Sequence, residues 1–230
     1  MRMNMPTYHR LLIWLLAATL LVSVVFTAFP ELDIYTSSLF YRSGFWLHDI
    51  PFLQSLRQAL LWGMYGFALF VLAVFILRFL RGHTVRAWGF SLAVILIGPL
   101  LLVNGVFKTY WGRARPSEIT IFGGDKSFTP AWLYTDQCDF NCSFTSGEGG
   151  AIATTALLIA FLAWPKLDKG RRLLGWALSA LLVLTAGLRV AVGQHFLSDT
   201  LLSVLLCTLV AALLYPLFFP LDDNQINCRT

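Results

Sequence analysis

Six apolar runs, each long enough to cross a bilayer as a helix, set the terms on which this chain can fold. They cover about residues 11–29, 59–80, 87–107, 146–164, 173–189 and 196–219. A run near 20 residues wound as a helix spans a hydrocarbon core about 30 Å thick with its backbone hydrogen bonds satisfied internally. The expected fold is therefore all-α, a polytopic membrane protein with about six transmembrane helices. Composition agrees, because 57% hydrophobic and 13% charged residues, with 19 Phe and 8 Trp, lie far from the balance of a water-soluble domain. A length of 230 residues accommodates one membrane-embedded domain over 1–230 and leaves no room for a second folded one. The first run follows Arg2 and Arg10 but exceeds the usual signal-peptide core and has no small-x-small cleavage site near Phe29-Pro30, so it reads as a retained helix.

Charge orients the runs. Arg2, Arg10, Arg78, Arg81, Arg86, Lys166, Lys169, Arg171 and Arg172 all fall on one side if the chain crosses six times, which makes that side cytoplasmic. Read this way, the net charge of +5 reflects membrane orientation and does not point to nucleic acid. The opposite side receives the aromatic-rich interlude 30–58, the long loop 108–145 and the turn 189–195. It also receives Lys108, Arg113, Arg115, Lys126 and Arg189. Those exceptions need a reason.

The reason emerges from three segments read together. Lys108 and Arg115 are seven apart, nearly in line if helical and about 10 Å apart along the axis, so their long side chains can converge on one anion. Ser146-Gly147-Glu148-Gly149-Gly150 opens the fourth run, and free backbone N–H groups with the helix dipole make such a start an anion site. Arg189, His195 and Asp199 then sit between the last two runs, where charged groups are expensive and usually pair or handle a substrate. His195 and Asp199, four apart, share a face if the helix includes both, so the carboxylate can hold the imidazole. Arg189 joins them only if the chain bends, because six helical residues turn it by about 240°, and Gly193 can supply the bend. Three cations, a helix start and a carboxylate-held histidine describe a phosphate site at the extracytoplasmic membrane interface, working by charge stabilisation and covalent transfer.

The pattern K-x6-R-P over 108–116, Ser146-Gly147, and R-x5-H-x3-D over 189–199 resembles the type 2 phosphatidic acid phosphatase family, which shares its phosphate site with vanadium haloperoxidases. The resemblance implies a membrane lipid phosphatase that uses no cofactor and no metal. It implies His195 as the nucleophile forming a phosphohistidine, with Asp199 orienting it. Lys108, Arg115 and Arg189 would hold the phosphoryl oxygens, with Ser146 and the Gly147 amide completing the cradle. The family's second motif usually ends in a histidine that protonates the leaving group, and Glu148 stands there instead. Glu148 is expected either to replace it as the acid or to close a capping box with Thr145. The version Ser143-Phe144-Thr145-Ser146-Gly147-Glu148 resembles the branch containing the lipid A 4′-phosphatases.

The expected partners are a lipid phosphate and the bilayer. Lipid A-like lipids, undecaprenyl pyrophosphate, phosphatidylglycerol phosphate and phosphatidic acid all fit such a site. The expected location is the bacterial inner membrane, with the site facing the periplasm. The same site could pass the phosphoryl group to another lipid, and an anion transporter is a third reading that the lack of an internal repeat disfavours. Arg113 is expected to face headgroups or the rest of the substrate. Cys138 and Cys142 are read equally as a disulfide or as two thiols. Cys207 and Cys228 lie apart from them with no histidine cluster, which argues against a metal site. The tryptophans are read mostly as a membrane belt and helix packing.

Overall fold

The computed structural model describes residues 3–167 and 169–222, so Arg2, Asp168 and Cys228 lie outside the described residues. The helices are α1 (Met5–Ala28), α2 (Glu31–Ser38), α3 (Pro51–Leu80), α4 (Arg86–Ile95), a π-wound continuation Leu96–Phe107 running into α5 (Lys108–Tyr110), α6 (Gly147–Ala163), α7 (Arg171–Ala191) and α8 (Leu197–Phe218). Among the described residues there is no strand, and six helical stretches are long and apolar enough to cross a membrane. The main departure from expectation is α3, which begins at Pro51 rather than near residue 59. Proline at the first helical position, after an extended Ile50, starts the helix. Its first turns carry Gln54, Arg57 and Gln58, which hydropathy alone reads as loop. The interlude before it also contains α2.

α8 is the central post, packing against α1, α4, the π-wound segment and α6. Glycines let α6 come close to it. A Cβ at Gly149 would lie 2.8 Å from Ser203 Oγ, and one at Gly150 would lie 2.9 Å from Cys207 Sγ. Small residues at a helix contact are how apolar helices gain close packing where lipid offers no hydrophobic drive. Away from the loops, Tyr8, Phe90, Val94, Leu158, Ala211 and Tyr215 form the core that binds α1, α4, α6 and α8. At that end Met5 N donates to the Asp222 carbonyl at 3.2 Å, so the start of α1 and the chain after α8 are neighbours.

The π-winding follows from Pro99, which has no N–H to give to the preceding turn. Side chains take part of its unused capacity, with Asn104 Nδ2 donating to the Pro99 carbonyl at 2.6 Å and Thr109 Oγ1 to the Asn104 carbonyl at 3.0 Å. At the other end of the bundle, α5, α7 and α1 finish and α3, α6 and α8 begin. The long loop folds over this end around Phe107, Trp111, Trp132 and Phe144, whose rings pack with centroids 5.1–6.0 Å apart. Trp111 and Trp132 are therefore loop core rather than membrane belt, and Trp111 Nε1 donates to the Ala131 carbonyl at 2.8 Å. Cys138 and Cys142 form a disulfide with Cα atoms 5.6 Å apart.

Candidate active site

A cavity of about 840 Å³ opens among α3, the π-wound segment, α6 and α7 at the loop end of the bundle. Lys108, Arg115, Arg189, Gly147 and Glu148 line one part of it. Leu61, Met64, Ala68, Leu72, Leu96 and Leu100 line the rest. Charged groups from three separate segments are thus brought to the head of an apolar trough.

Each cation arrives by a different route. Lys108 begins α5, and its Nζ donates to Asn141 Oδ1 at 2.7 Å. Arg115 does not follow it on a helix. The helix stops at Tyr110, Gly112 turns the chain with φ +69°, and Arg115 is extended before a short 3-10 turn. A larger residue at Gly112 would also drive its Cβ into the Thr135 carbonyl. The expected convergence of Lys108 and Arg115 occurs, but through a loop. Arg115 Nη2 donates to the Asn141 carbonyl at 2.8 Å and Nη1 to Gln194 Oε1. Arg189 closes α7 and is buried, with its Nε 3.6 Å from Glu148 Oε1. Gly193, at φ +68°, then makes the expected bend. It carries the chain to His195, whose N–H donates back to the Arg189 carbonyl at 3.2 Å.

The start of α6 faces the same cavity. Ser146, and not Thr145, is the N-cap, its Oγ accepting from Gly149 N at 3.1 Å. The Ser146 carbonyl takes Gly150 N at 3.0 Å, which leaves the Gly147 and Glu148 amides as the first donors without an intrahelical partner. Gly147 is tight against the cation helix, since a Cβ there would lie 2.8 Å from Asn104 Oδ1 and 3.4 Å from Lys108 Cε. Glu148 does not close a capping box. It turns to Arg57 of α3, which donates from Nε at 2.9 and 3.1 Å and from Nη2 at 2.6 Å. A two-point pairing with a guanidinium outcompetes a single backbone amide.

His195 lies behind the cavity wall, 1% exposed. Its Nδ1 is 2.8 Å from the Ser143 carbonyl, which can only accept, so Nδ1 carries the proton and Nε2 the lone pair. Asp199 does not hold the ring directly, its Oδ2 being 4.0 Å from Nδ1. The reason is that α8 begins only at Leu197, leaving His195 outside the helix. Asp199 instead caps α8 by accepting from Phe196 N at 2.9 Å, and it takes Ser143 Oγ at 2.5 Å. Asp199 and His195 are thus both bonded to Ser143, the first through its hydroxyl and the second through its carbonyl. Burial pushes the His195 imidazole well below the usual histidine range, and the charges of Arg189, Lys108 and Arg115 push it the same way.

Arg113 faces neither headgroups nor the cavity. It is fully buried, donating to Asp199 Oδ1 at 2.5 Å, to Ser198 Oγ at 2.9 Å and to Asp33 Oδ2 at 2.9 Å. Its guanidinium also lies 4.3 Å from the centre of the Phe196 ring. Asp33, from α2, accepts Ser198 N at 2.9 Å and so ties α2 to the start of α8. Burial is the main reason its carboxyl is raised above the usual aspartate range, against the lowering effect of Arg113. The sequence reading missed Arg57, Asp33, Asn141, Ser143 and Gln194. Only Arg57 gave a usable signal, as a lone cation near the start of an apolar helix.

Residues 86–222 match the family described as the PAP2 superfamily. The chain is 34% identical over 227 residues to a lipid A 4′-phosphatase of Rhizobium leguminosarum, covering 90% of this chain and 94% of that one. It is 34% identical over 214 residues to a lipid A 4′-phosphatase of Rhizobium etli, covering 84% and 81%. It is 36% identical over 189 residues to a lipid A 4′-phosphatase of Francisella tularensis subsp. novicida, covering 76% and 81%. No solved structure matches the chain.

Proposed function

The chain belongs to the PAP2 superfamily and is a membrane-embedded lipid phosphatase, and we propose that it removes a phosphate from a sugar-phosphate lipid of the lipid A class. The observation that carries this reading is the cavity itself, in which Lys108, Arg115, Arg189 and the start of α6 stand at the head of an apolar trough. A phosphorylated headgroup fits the first part and acyl chains fit the second.

In the reaction we propose, phosphoryl oxygens displace the amide oxygens of Asn141 and Gln194 from Lys108 and Arg115. They also take Arg189, Ser146 Oγ–H and the Gly147 amide. His195 Nε2 attacks phosphorus in line, forming an N–P bond as the bond to the lipid oxygen breaks. The neutral imidazole needs no base for this step, and Nδ1–H held by the Ser143 carbonyl stabilises the positive charge that develops. Both carboxyl oxygens of Glu148 are taken up by Arg57, so in this arrangement water protonates the leaving oxygen. A second water then hydrolyses the phosphohistidine to inorganic phosphate. The basic residues Arg78, Arg81, Arg86, Lys166, Lys169, Arg171 and Arg172 lie at the opposite ends of the helices, which supports a site facing the periplasm across the bacterial inner membrane.

The test is phosphate release by purified protein in detergent from lipid A, undecaprenyl pyrophosphate, phosphatidylglycerol phosphate and phosphatidic acid. Lipid A is expected to be turned over fastest, in the presence of EDTA, with inhibition by vanadate. Release from none of the four would defeat the phosphatase reading, and a preference for another member would defeat the substrate.

A further inference from the structure

Glu148 Oε1 sits where two guanidinium groups converge, with Arg57 Nη2 at 2.6 Å and Arg189 Nε at 3.6 Å. A point approached by two arginines is an anion position, and here the protein's own carboxylate fills it. The filling is incomplete, because Arg189 Nε is buried and has no hydrogen-bond partner while its side chain is only 6% exposed. Arg57 is the looser of the two, with its side chain 39% exposed to the cavity. Its place on α3 matters as well. Leu61, Met64, Ala68 and Leu72 follow it on one helical face and line the apolar trough, so Arg57 stands where the trough meets the cationic head of the cavity. The Arg57–Glu148 pair therefore bridges α3 and α6 across the passage from trough to head.

We propose that Arg57 is a fourth cation of the anion-binding site, held in reserve by Glu148, and that it exchanges that carboxylate for an anionic oxygen of the lipid headgroup. This rests on the lipid phosphatase reading above. A phosphate dianion entering beside Glu148 repels its carboxylate and attracts both arginines, and the planar guanidinium fork suits phosphoryl oxygens as well as it suits a carboxylate. The exchange keeps Arg57 paired throughout, so it breaks one charge-assisted contact only as another forms. The oxygen can belong to the reacting phosphate or to a second anionic group of the same lipid. Either way Arg57 couples occupancy of the site to a headgroup rather than to acyl chains alone.

The experiment measures dissociation constants of two phosphonate lipids, which cannot turn over, on the detergent-solubilised full chain. One lipid carries a single phosphonate and the other carries two. Arg57→Gln is expected to weaken binding about 10–100-fold, and Arg57→Lys to recover part of the loss, with the thermal midpoint of the protein unchanged. Equal weakening of both lipids assigns the oxygen to the reacting phosphate, and weakening of the second lipid alone assigns it to the additional group. Glu148→Gln gives an independent reading, because removing the resident carboxylate frees Arg57 and tightens binding. Unchanged binding in Arg57→Gln, or weakening in Glu148→Gln as large as that in Arg57→Gln, overturns the proposal. Phosphate release from the matching phosphate lipid, followed on the same preparations, separates the two inferences. Turnover with Arg57-independent binding rejects the role of Arg57 alone, and Arg57-dependent binding without turnover rejects the phosphatase reading alone.

Discussion

Arg113 and Arg115 are two residues apart and meet opposite fates. Arg113 is wholly buried among Asp33, Asp199 and Ser198, with two carboxylates on one guanidinium. Arg115 reaches the cavity, and its guanidinium donates to amide oxygens, those of Asn141 and Gln194. The difference separates a charge matched within the fold from one that faces the cavity. A cation matched by carboxylates inside the fold has its field neutralised at short range, and it ties loop, α2 and α8 together. A cation given only neutral acceptors keeps its attraction for an incoming anion.

His195 tests the boundary between the two regions, since it touches the buried side through Ser143 and feels the cavity's cations. If it belongs with the cavity, His195→Ala abolishes phosphate release, by about 10⁴-fold or more, while the folded protein still binds vanadate and melts near the wild-type temperature. If it belongs with the buried cluster, stability falls in step with activity. A loss of activity explained entirely by unfolding would move His195 across the line.

The comparison sharpens at Arg113. Arg113→Met leaves Asp33 and Asp199 buried beside each other without a cation, and it is expected to destabilise the protein by about 3–5 kcal/mol, read as a lower thermal midpoint in detergent. Vanadate affinity of the fraction that remains folded should not change. Arg115→Gln is the mirror case. Its thermal midpoint stays close to wild type, and kcat/KM falls about 10²–10³-fold, with vanadate binding weakened alongside. Matching phenotypes for the two variants would erase the distinction.

Much of this could be read from the chain before its fold. Six apolar runs specify six helices because backbone hydrogen bonding in lipid leaves little choice, and the end of α7 with its bend at Gly193 followed from where Arg189 and His195 must meet. The start of α3 was not legible, because a helix that emerges from hydrocarbon keeps its hydrogen bonds while its side chains turn polar. In the site, the cavity-facing cations were legible because a charge at a membrane edge is costly wherever it points. Their partners were not. Asp33 lies 80 residues from Arg113 and Arg57 lies 91 residues from Glu148, and no local spacing encodes such pairs. Asp199 shows the same limit at short range. Its four-residue spacing from His195 suggests a direct bond only if the helix extends over both, and α8 starts two residues too late.

The finest separation of the two arginines is by their effect on His195. Its imidazole is held well below 6.5 by burial first and then by Arg189, Lys108 and Arg115, whereas the Ser143 carbonyl acts in the opposite sense. Arg113, with its charge spent on two carboxylates, is not among these influences. Arg115→Gln should therefore raise the His195 titration toward the ordinary value. Arg113→Lys, which keeps the buried charge, should leave it in place. Nitrogen-15 histidine resonances report this directly, and the acid limb of kcat/KM should move up in the first variant only. The depressed value also has a stability consequence whose sign is fixed. Between it and 6.5 the unfolded chain binds a proton that the folded chain does not, so stability is full above 6.5 and falls as pH drops below it. The slope is at most about 1.4 kcal/mol per pH unit, and His195→Gln should remove it. Raising the folded value in Arg115→Gln narrows that window, so this variant should lose less stability in acid than the wild type does. An equal narrowing in Arg113→Lys would mean that the buried arginine still projects its charge into the cavity.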